Sequence, residues 1–135
     1  MNKNRLLAQF SLTLLLTSAL VAQQGNLSSK ETLTISGFSE HPPLTLKAVD
    51  VKSLTHITVT IHNRHSNADE TYLGVRLSDL LARVGAPLGS DLRGKALADY
   101  IVATGSDGYR AVLALGEVDP AFHSGEVIVA DAMNG

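Results

Sequence analysis

The sequence predicts an α+β fold that is largely β, with mixed sheets and a few short helices. Apolar and polar residues alternate over Thr32–Ser36 and over His56–His62, which is the period of a half-buried strand. Between residues 77 and 84 the leucines and a valine instead follow helical spacing. The Asp-Gly step within Gly105–Gly108 favours a tight reversal between two further apolar runs. Short strands therefore outnumber helices.

The elements in the first half follow in chain order. Pro42-Pro43 forces an extended or turn backbone ahead of the apolar run Leu44–Leu46. Arg64–Glu70 is a polar segment apart from Ala68 and is predicted to be a loop. Ser78 is the predicted N-cap of the helix, and Gly85 provides its stop.

The second half is predicted to be mostly strand. Tyr100–Thr104 and Tyr109–Leu115 form the two arms of the hairpin, and Asp119-Pro120 opens a short helical turn. Glu126–Ala132 is a final apolar strand. The closing Asn-Gly pair is a hairpin signal with no returning strand after it. We therefore expect a domain that is incomplete at its C-terminus, with an exposed strand edge and lowered stability.

The first 22 residues are typical of a cleavable secretory signal. Lys3 and Arg5 give a positive start, Leu6–Val21 is an uncharged apolar run, and small residues place the cleavage after Ala19 or Ala22. An uncleaved anchor is the alternative, but polar residues interrupt the run, and a span needs about 20 apolar residues. We expect a periplasmic or secreted protein with no membrane span after cleavage.

Residues 23–30 are predicted to be a polar tether, and residues 31–135 a single domain. The 11 basic and 13 acidic residues nearly balance and form no basic run, so nucleic acid is not an expected partner. The chain has no cysteine, which excludes disulfides, thiol catalysis, iron–sulfur clusters and thiolate-held metals. It also lacks the Gly-x-Ser-x-Gly and His-Glu-x-x-His motifs of common hydrolases.

Four segments together carry a resemblance to a known family, although each alone is an ordinary strand-turn or helix pattern. They are Tyr72–Gly85, Ser106–Ala111, Glu117–Pro120 and Ala130–Gly135. In this order and spacing, the chain from about Thr32 to Gly135 resembles the molybdopterin-binding oxidoreductase domain of the sulfite-oxidase family. The resemblance implies an α+β, largely β fold that holds a pterin dithiolene cofactor in a polar, basic pocket.

The resemblance also implies where a metal ligand would lie. Catalytic members of the family hold molybdenum through one cysteine that follows a core strand. That strand resembles Ile57–Ile61, which places the ligand position near His62–His65, where this chain has no sulfur donor. Imidazole is a harder, neutral donor and would change the charge at a molybdenum centre. We expect a pterin-type or similar anionic small molecule as ligand, without the usual anchor for molybdenum.

Individual residues follow from the same resemblance. Tyr109 resembles the active-site tyrosine of catalytic members and is the candidate catalytic residue; the alternative is an aromatic ring packed at the end of the hairpin. The candidate cofactor-binding residues are His62, Arg64, His65, Arg76 and Asp107. The two arginines are candidates for the pterin phosphate because guanidinium offers a fork of donors, and solvated surface arginines are the alternative. For Asp107 the alternative, which the sequence favours, is that it stabilises the turn.

Ligand binding as a member of this family is the first hypothesis. The second is that the chain is a non-catalytic interaction module that keeps the fold without a cofactor, as a redox or sensor partner in the cell envelope. A third hypothesis is a divalent metal held by His56, His62 and His65, against which stand solvated histidines at a strand end.

Overall fold

The computed structural model of the protein describes residues 31–37 and 40–134. The predicted signal and tether therefore lie outside the described residues. The strands are β1 (Thr32–Ile35), β2 (Leu44–Lys47), β3 (Ile57–Asn63), β4 (Ala68–Arg76), β5 (Tyr100–Thr104), β6 (Arg110–Ala114) and β7 (Ile128–Asn134). The helices are α1 (Ala48–Lys52), α2 (Leu77–Ala82) and α3 (Leu115–Val118), with 3₁₀ turns at Gly89–Asp91 and Gly94–Ala98.

The strands form three antiparallel sheets. β1 pairs with β2, β5 pairs with β6, and β3, β4 and β7 form a three-stranded sheet in that order. The prediction of an α+β fold that is mostly strand with a few short helices is confirmed at this level. No helix within the described ranges is long and apolar enough to cross a membrane.

β4 is the central strand of the largest sheet, and the sequence prediction missed it. It begins at Ala68, so the polar loop predicted over residues 64–70 is too long by three residues. Ala68 and the polar residues after it pair with β3 in a hairpin, with Asn63 opposite Ala68 and Thr60 opposite Thr71. Cross-strand pairing therefore decides the conformation where the local pattern shows no apolar alternation.

Helix α2 follows β4 without a linker. Arg76, the last residue of β4, occupies the N-cap position of α2. Ser78 therefore lies inside the helix, where its side chain is buried and does not cap it. The prediction of Ser78 as N-cap is wrong because the strand runs directly into the helix. The predicted stop is confirmed: Gly85 takes a positive φ of 78°, which favours glycine.

The C-terminal elements largely match the prediction. β5 and β6 form the expected hairpin, with Val102 opposite Val112. The predicted helical turn is present, since the Asp119 carbonyl accepts from the Phe122 and His123 amides, both at 3.0 Å. The last strand, β7, begins two residues later than predicted.

Two groups of buried residues form the core, and α2 contributes to both. Leu80 packs with Leu46, Val51 and Val75 from β2, α1 and β4. The neighbouring Leu81 packs in the second group, which consists of Leu81, Leu92, Leu115 and Val118. Burying each such side chain contributes about 1.5–3 kcal/mol. The short α2 therefore joins the central sheet to the C-terminal elements.

Candidate functional site

Three of the predicted ligand residues lie together at one end of the central sheet. Arg64 and His65 lie in the short loop between β3 and β4, and His62 precedes them near the end of β3. His62 Nδ1 lies 2.8 Å from Asp69 Oδ1, with the two side chains 54% and 71% exposed. The His65 amide donates to Asn63 Oδ1 at 2.8 Å, which shapes the loop. The loop presents one arginine and two histidines to solvent.

Arg76 lies at the opposite end of the same sheet. It is seven residues beyond Asp69 on β4, which at about 3.3 Å per residue is roughly 23 Å. Its Nε donates to both carboxylate oxygens of Glu126, at 3.1 and 3.0 Å. These hydrogen bonds, together with the charge of Glu126, raise the pKa of Arg76 above its usual value. The structure therefore does not bring Arg64 and Arg76 together around one phosphate.

Tyr109 and Asp107 lie at the turn of the β5–β6 hairpin, in a different sheet. Asp107 Oδ1 accepts from the Tyr109 amide at 3.0 Å, and the Gly105 amide donates to the Tyr109 carbonyl at 2.8 Å. Asp107 therefore stabilises the turn, the alternative that the sequence left open. The Tyr109 ring is 72% exposed, so it does not pack against the hairpin as a buried aromatic would.

The three histidines proposed as a metal site are not grouped. His56 lies directly before β3 and six residues before His62, which is roughly 20 Å in an extended chain. Within the part of the chain that the structure describes, no three His, Asp or Glu side chains are arranged to hold a metal ion. The structure therefore contradicts the hypothesis that His56, His62 and His65 together form one metal site.

His56 instead joins β3 to β7. Its Nδ1 lies 2.8 Å from the Leu54 carbonyl oxygen, and its Nε2 lies 3.0 Å from Asp131 Oδ2. The two side chains are only 15% and 19% exposed. Both ring nitrogens face acceptors, so the protonated ring satisfies both. The Leu54 carbonyl first, and then Asp131, raise the pKa of His56 above its usual value of 6.5.

A second polar group, which sequence reasoning missed, lies beside the β3–β4 loop. Tyr72 Oη donates to Glu70 Oε2 at 2.7 Å, and Asn63 Nδ2 donates to Glu70 Oε1 at 2.6 Å. The Tyr72 and then the Asn63 hydrogen bonds lower the pKa of Glu70, and Glu70 raises the pKa of Tyr72. Tyr72 and Glu70 are two apart and thus share a strand face, which is the signal that indicates such a pair.

The described part of the chain also contains an apolar groove of about 660 Å³, a volume typical of ligand sites. Its two sides are the consecutive residues Leu33–Gly37 and Asp99–Thr104. The other residues that line it are Leu77, Leu81, Leu113, Leu115, Val127, Ile128 and Val129. None of the six predicted site residues lines it. Sequence reasoning missed it because the groove depends on how two separate hairpins are placed.

Comparison with protein-family models, with curated proteins and with solved structures finds no match to this chain. The described residues form an α+β arrangement of three antiparallel sheets, and two of its surface features are candidates for a binding site. One is the polar β3–β4 loop with Arg64 and His65, and the other is the apolar groove.

Proposed function

We propose that this chain is an exported member of the sulfite-oxidase-like molybdopterin-binding family that binds a pterin-type or similar anionic ligand. The observation that carries the proposal is the ordered set of four segments beginning at Tyr72. In the structure they form β4 with α2, the β5–β6 turn, the end of α3, and β7. Antiparallel strands with few short helices are compatible with the largely β fold that the family implies.

The residues present fit only part of the family's cofactor. Arg64 and His65 offer cationic or hydrogen-bonding groups to an anion at the β3–β4 loop, where a guanidinium fork suits a phosphate. Arg76 is bound to Glu126, and Asp107 is used in its turn. Of the candidate set, only Arg64 and His65 at the β3–β4 loop are therefore proposed to contact the ligand, through the anionic group of a pterin-type molecule.

The proposal includes no molybdenum chemistry. The whole sequence contains no cysteine, so the thiolate by which catalytic members of the family hold molybdenum has no counterpart. Metal analysis of protein purified from its native compartment tests this point. We expect no molybdenum; a stoichiometric amount would show that another ligand set replaces the thiolate and would contradict this part of the proposal.

Pterin content tests the ligand directly. Denatured protein is oxidised, and the fluorescence of the released pterin is measured per mole of chain. We expect a clear signal that falls about tenfold in Arg64→Gln, as loss of a charge-assisted phosphate contact predicts. Arg83→Gln, at an exposed arginine after α2, is the matched control and should keep its pterin. A pterin-free wild-type protein would contradict the proposal.

A second candidate function is a non-catalytic interaction module of the cell envelope, in which the fold acts without a cofactor. The observation that favours it is the dispersal of the candidate ligand residues: Arg64 and Arg76 lie at opposite ends of β4, and Tyr109 lies on another sheet. The pterin assay separates the two functions, because only the first predicts a bound pterin.

A further inference from the structure

His56 is held between two acceptors at the point where the chain enters β3. Its Nδ1 lies 2.8 Å from the Leu54 carbonyl oxygen, and its Nε2 lies 3.0 Å from Asp131 Oδ2 on β7. The side chains of His56 and Asp131 are only 15% and 19% exposed, so water has little access as a replacement partner. Only the protonated imidazole carries an N–H on each nitrogen. Both contacts are therefore hydrogen bonds at the same time only while His56 is protonated.

A neutral ring must give up one of the two contacts, because it keeps a single N–H and its other nitrogen is an acceptor. The Leu54 carbonyl belongs to the backbone two residues before His56 and cannot turn away by a side-chain rotation. An Nδ1–H that donates to a backbone carbonyl is also a common arrangement for histidine. The unprotonated Nε2 then faces the carboxylate of Asp131, and two acceptors repel each other. Asp131 is therefore the partner that leaves.

Strand pairing does not fix the backbone at Asp131. On β4, Leu73 pairs with Ala132 and Gly74 pairs with Ala130, so Asp131 is the extra residue of a β-bulge. The extra residue of a bulge has no partner in the ladder, and a bulge re-aims a side chain relative to its strand. The contact that the Asp131 carboxylate makes across β4 thus fixes a residue that the ladder leaves unpaired.

A cavity of about 250 Å³ beside Asp131 gives its carboxylate a second position. Asp131 lines this cavity together with Lys52 of α1 and Glu31, which lies before β1. The ammonium group of Lys52 attracts a carboxylate, and the carboxylate of Glu31 repels one. Lys52 is therefore the group that favours the second position. Val129, two residues before Asp131, lines both this cavity and the apolar groove, so the carboxylate belongs to a strand that borders both.

The charged groups around His56 come from few elements. Asp131 of β7 is the charged group in contact with the ring. From β4, the residue at the register position of His56 is the apolar Val75. α1 contributes Lys52 and the segment before β1 contributes Glu31, both at the cavity that Asp131 lines. Protonation of His56 is therefore coupled first to the position of Asp131.

From these observations we infer that His56 and Asp131 form a pH-sensitive switch that fixes the bulge of β7 to the start of β3. At acidic pH the protonated ring holds the carboxylate. As the pH rises and the ring loses its proton, the carboxylate turns into the cavity toward Lys52, and the bulge is released. The Leu54 carbonyl and then Asp131 raise the pKa of His56, so the switch stays closed at pH values where an ordinary histidine is already neutral. The inference does not depend on pterin binding, which was assigned to the β3–β4 loop.

The test records the position of Asp131 at two pH values. Crystal structures of the wild type at about pH 5.5 and about pH 8.5 should show its carboxylate on His56 at the lower pH and in the cavity facing Lys52 at the higher pH. In solution, amide exchange is corrected for its intrinsic pH dependence. The corrected rate at residues 130–132 should rise about tenfold between the two pH values, as loss of a charge-assisted hydrogen bond predicts, with no comparable rise in β5 and β6.

The Asp131→Asn variant separates the switch from a general effect of pH. Its amide can donate to the unprotonated Nε2, so the titration of His56, followed by NMR, should move to lower pH. Exchange at residues 130–132 should then no longer depend on pH after the same correction. Asp69→Asn is the matched control because it removes the exposed carboxylate beside His62 in the same sheet, and it should behave as the wild type.

The Lys52→Met variant tests the second position of the carboxylate. Without the ammonium group, Glu31 is the charged residue that remains beside Asp131 in the cavity, and the carboxylate should stay on His56 at both pH values. Lys47→Met changes an exposed lysine outside the cavity and should turn as the wild type does. A carboxylate that still turns in Lys52→Met would overturn the role of Lys52.

The switch itself would be overturned by any of three results. The first is a wild-type Asp131 in the same position at both pH values. The second is corrected exchange that rises equally at residues 130–132 and in β5 and β6. The third is an Asp131→Asn variant that keeps the pH response of the wild type. None of these results depends on whether the protein contains a pterin.

Discussion

Gly74 is paired on both sides in the central sheet, and β7 passes close to it. It lies opposite Ile57 on β3 and Ala130 on β7, beside a β-bulge. A Cβ at this position would collide with the Val129 carbonyl oxygen and lie 2.7 Å from the Ala130 Cα. Both obstacles are backbone, so β7 would have to move. We expect Gly74→Ala to lower the free energy of unfolding by about 1–3 kcal/mol, measured by urea titration.

Gly116 in α3 provides the matched control for this prediction. Its nearest neighbour for an added Cβ is the Phe122 Cβ at 4.0 Å, an ordinary contact distance. Alanine favours a helix over glycine, so Gly116→Ala should stabilise the protein by about 0.5–1 kcal/mol. If both variants shifted the urea midpoint alike, the close β4–β7 approach at Gly74 would not be present in solution.

His56 makes the stability of the protein depend on pH. Its pKa is raised above 6.5 in the folded state by the Leu54 carbonyl and Asp131. The protonated ring therefore stabilises the fold at pH values below 6.5, and this contribution is lost as the pH rises through the raised folded pKa. Between about pH 5.5 and about pH 8.5 we expect the urea midpoint to fall more in the wild type than in His56→Gln.

The control for this prediction is His62→Gln. His62 is also beside a carboxylate, Asp69, but both side chains are largely exposed, so solvent screens the pair. The pH dependence of His62→Gln should follow that of the wild type. A wild type and a His56→Gln variant with parallel pH profiles would show that the His56–Asp131 contact does not select the protonated ring.

At the scale of the elements, Asp119 connects the end of α3 to the 3₁₀ turn at Gly89–Asp91. Its carboxylate is 1% exposed and accepts from the Gly89 amide at 2.5 Å and the Ala121 amide at 2.8 Å. Alanine would remove both acceptor oxygens of this carboxylate. We expect Asp119→Ala to cost about 2–4 kcal/mol of unfolding free energy, measured by urea titration. Asp119→Asn keeps one acceptor and should cost less; equal losses would contradict this assignment.

Elements with a strong local signal were predictable, and those that depend on distant partners were not. The β5–β6 hairpin follows from its Asp-Gly turn, and α2 follows from leucines at helical spacing ended by Gly85. The first half of β4 has no local apolar pattern and becomes a strand because β3 pairs with it on one side and β7 joins further along. The capping prediction at Ser78 failed for a related reason, since nothing local showed that β4 continues into α2.

The candidate site divides in the same way. The turn role of Asp107 follows from local chemistry, and the structure shows it. Arg64 and Arg76 share a residue type that suits phosphate, but only the strand between them reveals that they lie at opposite ends of the sheet. His56 was considered as a metal ligand because it shares a strand face with His62, whereas its partner in the structure, Asp131, is 75 residues away in sequence. Long-range pairing is the information that a single sequence lacks.

For the whole molecule, the arrangement of three small sheets implies that stability is uneven. β4 has a hydrogen-bonded partner on both sides, whereas β1 and β5 have one partner each and face the groove. Amide exchange requires opening of the hydrogen bonds that protect each amide, so doubly paired strands open last. We expect residues 71–74, which are paired on both sides, to be the slowest to exchange, and the strands with a single partner, β1 and β5 among them, to exchange faster.

Amide exchange also tests whether the three sheets unfold together or separately. Leu80 and Leu81 belong to different core groups, so α2 is the element through which the sheets are coupled. Leu81→Ala removes a side chain that is 4% exposed and should cost about 2–5 kcal/mol. Because Leu81 packs with the C-terminal elements, exchange in β5 and β6 should rise more than in β3 and β4. In Leu81→Ala, a uniform rise of exchange across all strands would show that the molecule unfolds as one unit. In the wild type, protection of β1 equal to that of β4 would show that the groove is closed in solution.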